Sequence, residues 1–151
     1  MSSRTLFGLV LLLAIAVASP PSDAQQATRI PKIGLLAPIP QATAAHVIAA
    51  FREGLRALGY IEGKTVLLEV RLAEGAVERL PELARELVAL KPDVIVASTD
   101  PAIAAVRRET RTIPIVMVLS ADPAGAGFVA SLARPGGNVT GLSTLSPEIS
   151  G

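Results

Sequence analysis

Two short segments repeat one arrangement of hydroxyl and carboxyl groups. Ser98-Thr99-Asp100-Pro101 and Ser120-Ala121-Asp122-Pro123 both read Ser-x-Asp-Pro. Hydroxyls beside the free amides of a helix start suit reversible capture of the polar head of a small ligand, such as a carboxylate. Residues 38–43, with Pro38, Gln41 and Thr43, supply further polar groups after an earlier apolar run. A structural reading competes for the acids, because Asp or Thr at an N-cap with Pro at the next position is a common helix start. For Asp100 and Asp122 that capping reading is the stronger one.

Other chemistry has little to stand on. The chain has no cysteine, which removes disulfides, thiolate metal sites and a Cys nucleophile. His46 is the single histidine; in the first turn of a predicted helix, it reads as a solvated residue and not as a base or ligand. Residues 125–130 match the dinucleotide pattern GxGxxA, but they follow the fourth strand and do not open the first βα unit. Phosphate loops, GxSxG elbows, HExxH helices and paired carboxylates are missing from the sequence. No catalytic residue, metal or cofactor is therefore expected. Asn138-Val139-Thr140 is formally a glycosylation sequon and is more simply a turn. With 14 Lys+Arg against 13 Asp+Glu and no long run of either sign, a nucleic-acid partner is not expected.

The elements that must position these residues follow from periodicity. Short continuous apolar runs at 30–37, 93–98 and 113–120 read as strands buried on both faces. Residues 64–72 alternate more and fit an edge strand, and 138–143 follow a Pro-Gly-Gly turn as a fifth strand. Between them, residues from 43 onward place Val47, Ile48, Phe51, Leu55 and Leu58 on one helical stripe, ended by Gly59. Further helices are predicted over 78–90 and 101–110, with a small one over 127–133. Strict β-α alternation gives an α/β fold, an open parallel sheet with helices on both faces. Ligands of such sheets bind beyond the carboxyl ends of the strands, where the strand order switches.

The N-terminus carries a destination. Arg4, an apolar run over 6–18 and Ser22-Asp23-Ala24 before Gln25 read as a signal peptide over residues 1–24, with a cut after Ala18 as the alternative. About 13 apolar residues are short of the roughly 20 that a spanning helix needs. The expected product is exported, soluble and periplasmic, with no membrane insertion after cleavage. Its ligand-binding lobe covers residues 25–145.

The stretches IPKIGLLAP, FREGLRALGYIEGKTVLLEVRLAEG, RLPELARELVALKPDVIVAS, TIPIVMV and, most specifically, SLARPGGNVTGLSTLSPEISG resemble the ABC transporter substrate-binding proteins of the tryptophan/tyrosine-binding type. The resemblance implies one lobe of a two-lobed periplasmic-binding-protein type I fold, with residues 146–151 as the start of a truncated second lobe. It implies that residues 141–144 cross into the hinge, which adds Ser143 to the candidate ligand-binding residues. Ligand would be clamped between two lobes, so a lone lobe should bind weakly. The implied ligand is an amino acid or similar small organic solute, handed to an ABC permease in the inner membrane. An extracellular ligand-sensing domain of a signalling protein is the alternative. Phe51, Tyr60 and Phe128 offer no obvious stacking platform for an aromatic ligand.

Overall fold

All five expected strands pair side by side, each joined to the next through a connection long enough to keep them parallel. The computed structural model describes residues 29–144; the expected signal peptide and the expected start of a second lobe lie outside these residues. Chain order is β1 (Lys32–Ala37), α1 (Gln41–Ala57), β2 (Leu67–Leu72), a 3₁₀ turn (Val77–Arg79), α2 (Leu80–Ala89), β3 (Val94–Ala97), α3 (Asp100–Glu109), β4 (Ile115–Met117) and β5 (Val139–Gly141). The strands form one sheet in the order β2-β1-β3-β4-β5. Every pairing is parallel.

Side chains alternate across this sheet, as the two-residue period of a strand requires. Leu36, Ile95, Ala97, Ile115 and Met117 point to one face and join the core with residues of α2 and α3. There Leu80, Leu87, Ile103 and Val106 are fully buried, each stabilising the fold by about 1.5–3 kcal/mol relative to exposure. Gly34 of β1 lets α2 approach closely: a Cβ there would lie 3.0 Å from the Leu87 side chain. On the opposite face, Leu35, Ala37, Val96, Val116 and Val118 look toward α1. With Ala44, Val47, Ile48 and Phe51 of that helix they line an apolar cavity of about 240 Å³, in which Ser98 is the polar exception.

Several expectations are corrected here. Residues 127–133 form turns, not a helix. One helix-like turn closes with Ala126 N–H to the Asp122 carbonyl at 2.9 Å, and then Gly127 adopts a φ of 71°, which ends it. Phe128 and Val129 reach the core from this irregular segment. β4 stops at Met117, three residues before the end of its apolar run, and Val118 and Leu119 are exposed. Val47 of α1 and Leu58, the residue that ends it, are exposed although they share the predicted stripe. β5 runs so close to β4 that a Cβ on Gly141 would sit 2.1 Å from the Met117 carbonyl oxygen.

Candidate functional site

The strand order reverses at β1. The chain leaves it toward β2 and then returns past it to β3, so the loops after β1 and β3 open beside each other at the carboxyl edge. The candidate residues lie along this edge: Pro38, Gln41 and Thr43 after β1, Ser98, Thr99 and Asp100 after β3, Ser120 and Asp122 after β4, Ser143 after β5. An open α/β sheet leaves its ligand crevice at such a reversal, since flanking connections depart to opposite faces.

The first loop is held by its neighbour. The Pro38 carbonyl accepts Gly75 N–H at 2.6 Å. Gln41 N–H donates to both Glu74 carboxylate oxygens at 3.1 Å. Thr43 is exposed on the first turn of α1. This loop forms a lip whose position depends on the turn after β2, and Glu74 was not among the residues singled out by sequence. The Glu74-Gly75 pair closing an edge strand was the available signal.

The loop after β3 is different. Ser98 N–H donates to the Leu36 carbonyl at 3.1 Å, fixing the backbone next to β1. Thr99 is the N-cap of α3 in extended conformation, yet its hydroxyl makes no capping bond, and Pro101 occupies the first turn. The Ser98 hydroxyl, the Thr99 hydroxyl and one Asp100 carboxylate oxygen are shielded from solvent without a hydrogen-bond partner among the described residues. Capping therefore does not account for Thr99 or Asp100. The amides of the first turn of α3 have no intrahelical acceptor, and the helix dipole adds partial positive charge beside them.

Ser120 completes the group. It is 1% exposed, and its hydroxyl is also unpartnered among the described residues. Its carbonyl accepts the Ser143 hydroxyl at 3.2 Å, the Thr144 hydroxyl at 3.3 Å and Thr144 N–H at 2.9 Å. Asp122 stands apart: it is exposed, and its Oδ1 accepts Gly125 N–H at 2.7 Å, closing a local turn where the capping reading expected a helix start. Thr144 was missed by sequence reasoning, since nothing in its local pattern marks it as a partner of β4.

A buried hydroxyl left unpaired costs about 1–3 kcal/mol, and native structures keep few of them. Four such side-chain oxygens lie on the loops that follow the adjacent strands β3 and β4, at the edge where sheets of this kind bind their ligands. No group of three or more His, Cys, Asp or Glu residues is placed to hold a metal among the described residues. No described helix is long and apolar enough to cross a membrane.

Known proteins share this architecture. One is a tyrosine-binding protein of Clostridioides difficile (strain R20291), 36% identical over 93 residues, which are 62% of this chain and 27% of that protein. The crystal structure of a conserved domain protein from Vibrio cholerae superposes with a TM-score of 0.71 at 36% identity, covering 79% of this chain and 40% of that one. A Streptococcus pneumoniae ABC domain in complex with L-Trp superposes with a TM-score of 0.67 at 31% identity, covering 75% and 38%. The chain thus spans less than half the length of each of these relatives. The family model for ABC transporter substrate binding proteins matches residues 32–149, and the chain belongs to that family.

Proposed function

We propose that this lobe captures a small solute, an amino acid, in the periplasm for an ABC-type importer, and performs no reaction on it. The observation that carries the reading is the set of four buried side-chain oxygens of Ser98, Thr99, Asp100 and Ser120, without a partner among the described residues, at the carboxyl edge of the sheet. Their chemistry fits both ends of an amino-acid head. Hydroxyls donate to a carboxylate, with the first-turn amides and dipole of α3 supporting the negative charge. The Asp100 carboxylate accepts from an ammonium group.

Around these four, Pro38, Gln41 and Thr43 form the facing lip, while Asp122 and Ser143 shape the loops that carry Ser120. The relatives support an amino-acid ligand: one is named a tyrosine-binding protein, and another holds L-Trp. Few described aromatic residues stand near the carboxyl edge: Phe128 is in the core, Tyr60 lines a separate hollow with Arg52 and Leu68, and Phe51 shares the apolar cavity under α1 with Ser98. An aromatic ligand side chain would be gripped mainly by a second lobe, the whole protein closing on its ligand as a hinged clamp. Delivery to an inner-membrane permease and export by residues 1–24 complete the proposal.

The test is a thermal-shift panel of the proteinogenic amino acids on the full-length protein, followed by calorimetry on any that stabilise it. Stabilisation by ligand binding follows directly from mass action. Ser98→Ala and Ser120→Ala are each expected to weaken binding by about tenfold, because each leaves a ligand group unpaired. A panel without any shift, or unchanged affinity in both variants, refutes the reading.

A further inference from the structure

At the opposite end of the sheet lies a second recess. Arg107, near the end of α3, and Arg111, just beyond it, line an open hollow of about 580 Å³ with Phe128, Gly136, Gly137 and Asn138. Arg111 precedes β4 and Asn138 precedes β5, so the hollow sits at the amino ends of those strands, away from Ser98 and Ser120.

Its electrostatics are one-sided. Arg107 is oriented by two contacts: its Nη1 donates to the Gly127 carbonyl at 2.7 Å, and its guanidinium stands 5.6 Å from the centre of the Phe128 ring. Arg111 is exposed and has no ion pair or hydrogen bond among the described residues. No carboxylate lines the hollow. The acids nearest in sequence are engaged elsewhere, Glu109 with Arg85 at 3.6 Å and Asp122 with Gly125 N–H. The Asn138 side-chain amide is turned away to the Ile113 carbonyl at 2.7 Å. The Gly136 and Gly137 N–H groups have no acceptor among the described residues.

Two guanidinium groups and two amides without an acceptor among the described residues line one hollow that holds no acid, a donor set suited to an anionic group with several oxygens. Guanidinium forks pair with phosphate oxygens in bidentate geometry, and successive amides receive the remaining ones. We infer that this recess is a second binding site, for a phosphate group carried either by a soluble molecule or by a phospholipid headgroup. It is independent of the solute site and needs none of its residues.

The full-length protein titrated with inorganic pyrophosphate, observed through the Gly136 and Gly137 amide resonances, tests the site directly. Saturable shifts of both resonances are expected, with binding weakened about tenfold or more in Arg111→Gln. Arg111 makes no hydrogen bond or ion pair among the described residues, so that variant is expected to keep the fold; Arg107→Gln is the second variant, read against its own thermal stability. Co-sedimentation with phosphatidylglycerol and with phosphatidylcholine vesicles separates the sources. Arg111-dependent pelleting with the anionic vesicles alone identifies a headgroup, and pyrophosphate binding without pelleting identifies a soluble phosphate. Absence of both, or pyrophosphate and vesicle binding as tight in Arg111→Gln as in the parent, overturns the inference.

Discussion

The Ser120 carbonyl accepts Thr144 N–H at 2.9 Å, tying the loop after β4 to the segment that leaves β5. The hydroxyls of Ser143 and Thr144 reach the same carbonyl oxygen, while Ser120's own hydroxyl has no partner among the described residues. Backbone and side chain of one residue thus have separate tasks: the carbonyl holds the fold and the hydroxyl is left for something else.

That division predicts an unusual mutant. Ser120→Ala removes a buried hydroxyl that contributes no bond to the fold, so stability should stay constant or rise by up to about 1 kcal/mol. Amino-acid affinity should fall in the same variant. Urea denaturation beside calorimetry makes the comparison; a loss of more than about 2 kcal/mol in stability would mean that the hydroxyl serves the fold instead.

Gly141→Ala should be severe. The residue has a φ of 135°, and the added methyl would collide with the Met117 carbonyl and amide. Strain of this kind together with forced strand separation amounts to about 2–4 kcal/mol. Gly54→Ala is the contrasting control: it is exposed within α1 with open space around it, and the change should stabilise by about 0.5–1 kcal/mol. Denaturation midpoints of the two variants should move in opposite directions.

Gly34 and Leu87 should be coupled. Gly34→Ala forces a methyl to within 3.0 Å of the Leu87 side chain, an overpacking worth about 1–3 kcal/mol. Leu87→Ala empties a fully buried site, at about 2–5 kcal/mol. In the double variant the new methyl occupies part of the space vacated, so the combined loss should be smaller than the sum of the single losses. A double-mutant cycle that comes out additive within about 0.5 kcal/mol would show that β1 and α2 do not meet as tightly as described.

The sheet was readable because parallel strands covered on both faces appear as unbroken apolar runs, and 30–37 and 93–98 are bounded by prolines, acids or hydroxyls. The same signal overran at 113–120, since apolarity does not reveal that Val118 and Leu119 have left the ladder. The helix expected over 127–133 failed because Phe128 and Val129 are core residues held by turns, and the glycines at 125 and 127 carried more weight than the apolar spacing. At the site, pattern located the loops but not the state of their side chains. Ser-x-Asp-Pro reads identically at 98–101 and 120–123, yet Asp122 is bonded to Gly125 whereas one Asp100 oxygen is shielded and has no partner among the described residues. That difference depends on which strands flank each loop, information that no local window contains.

The contact between Gln41 and Glu74 bears on the order in which the molecule assembles. α1 begins after Pro40 with no side-chain cap and no acid in its first turn, and its missing cap comes from Glu74, 33 positions along the chain. Segment 41–57 on its own has a weak start for a helical nucleus, whose formation is already unfavourable in water. The helix becomes secure only after β2 has joined β1 and brought Glu74 into place. α1 is thus expected to form late in folding and to open early, and amide exchange in its first turn should then report opening of the β1–β2 edge.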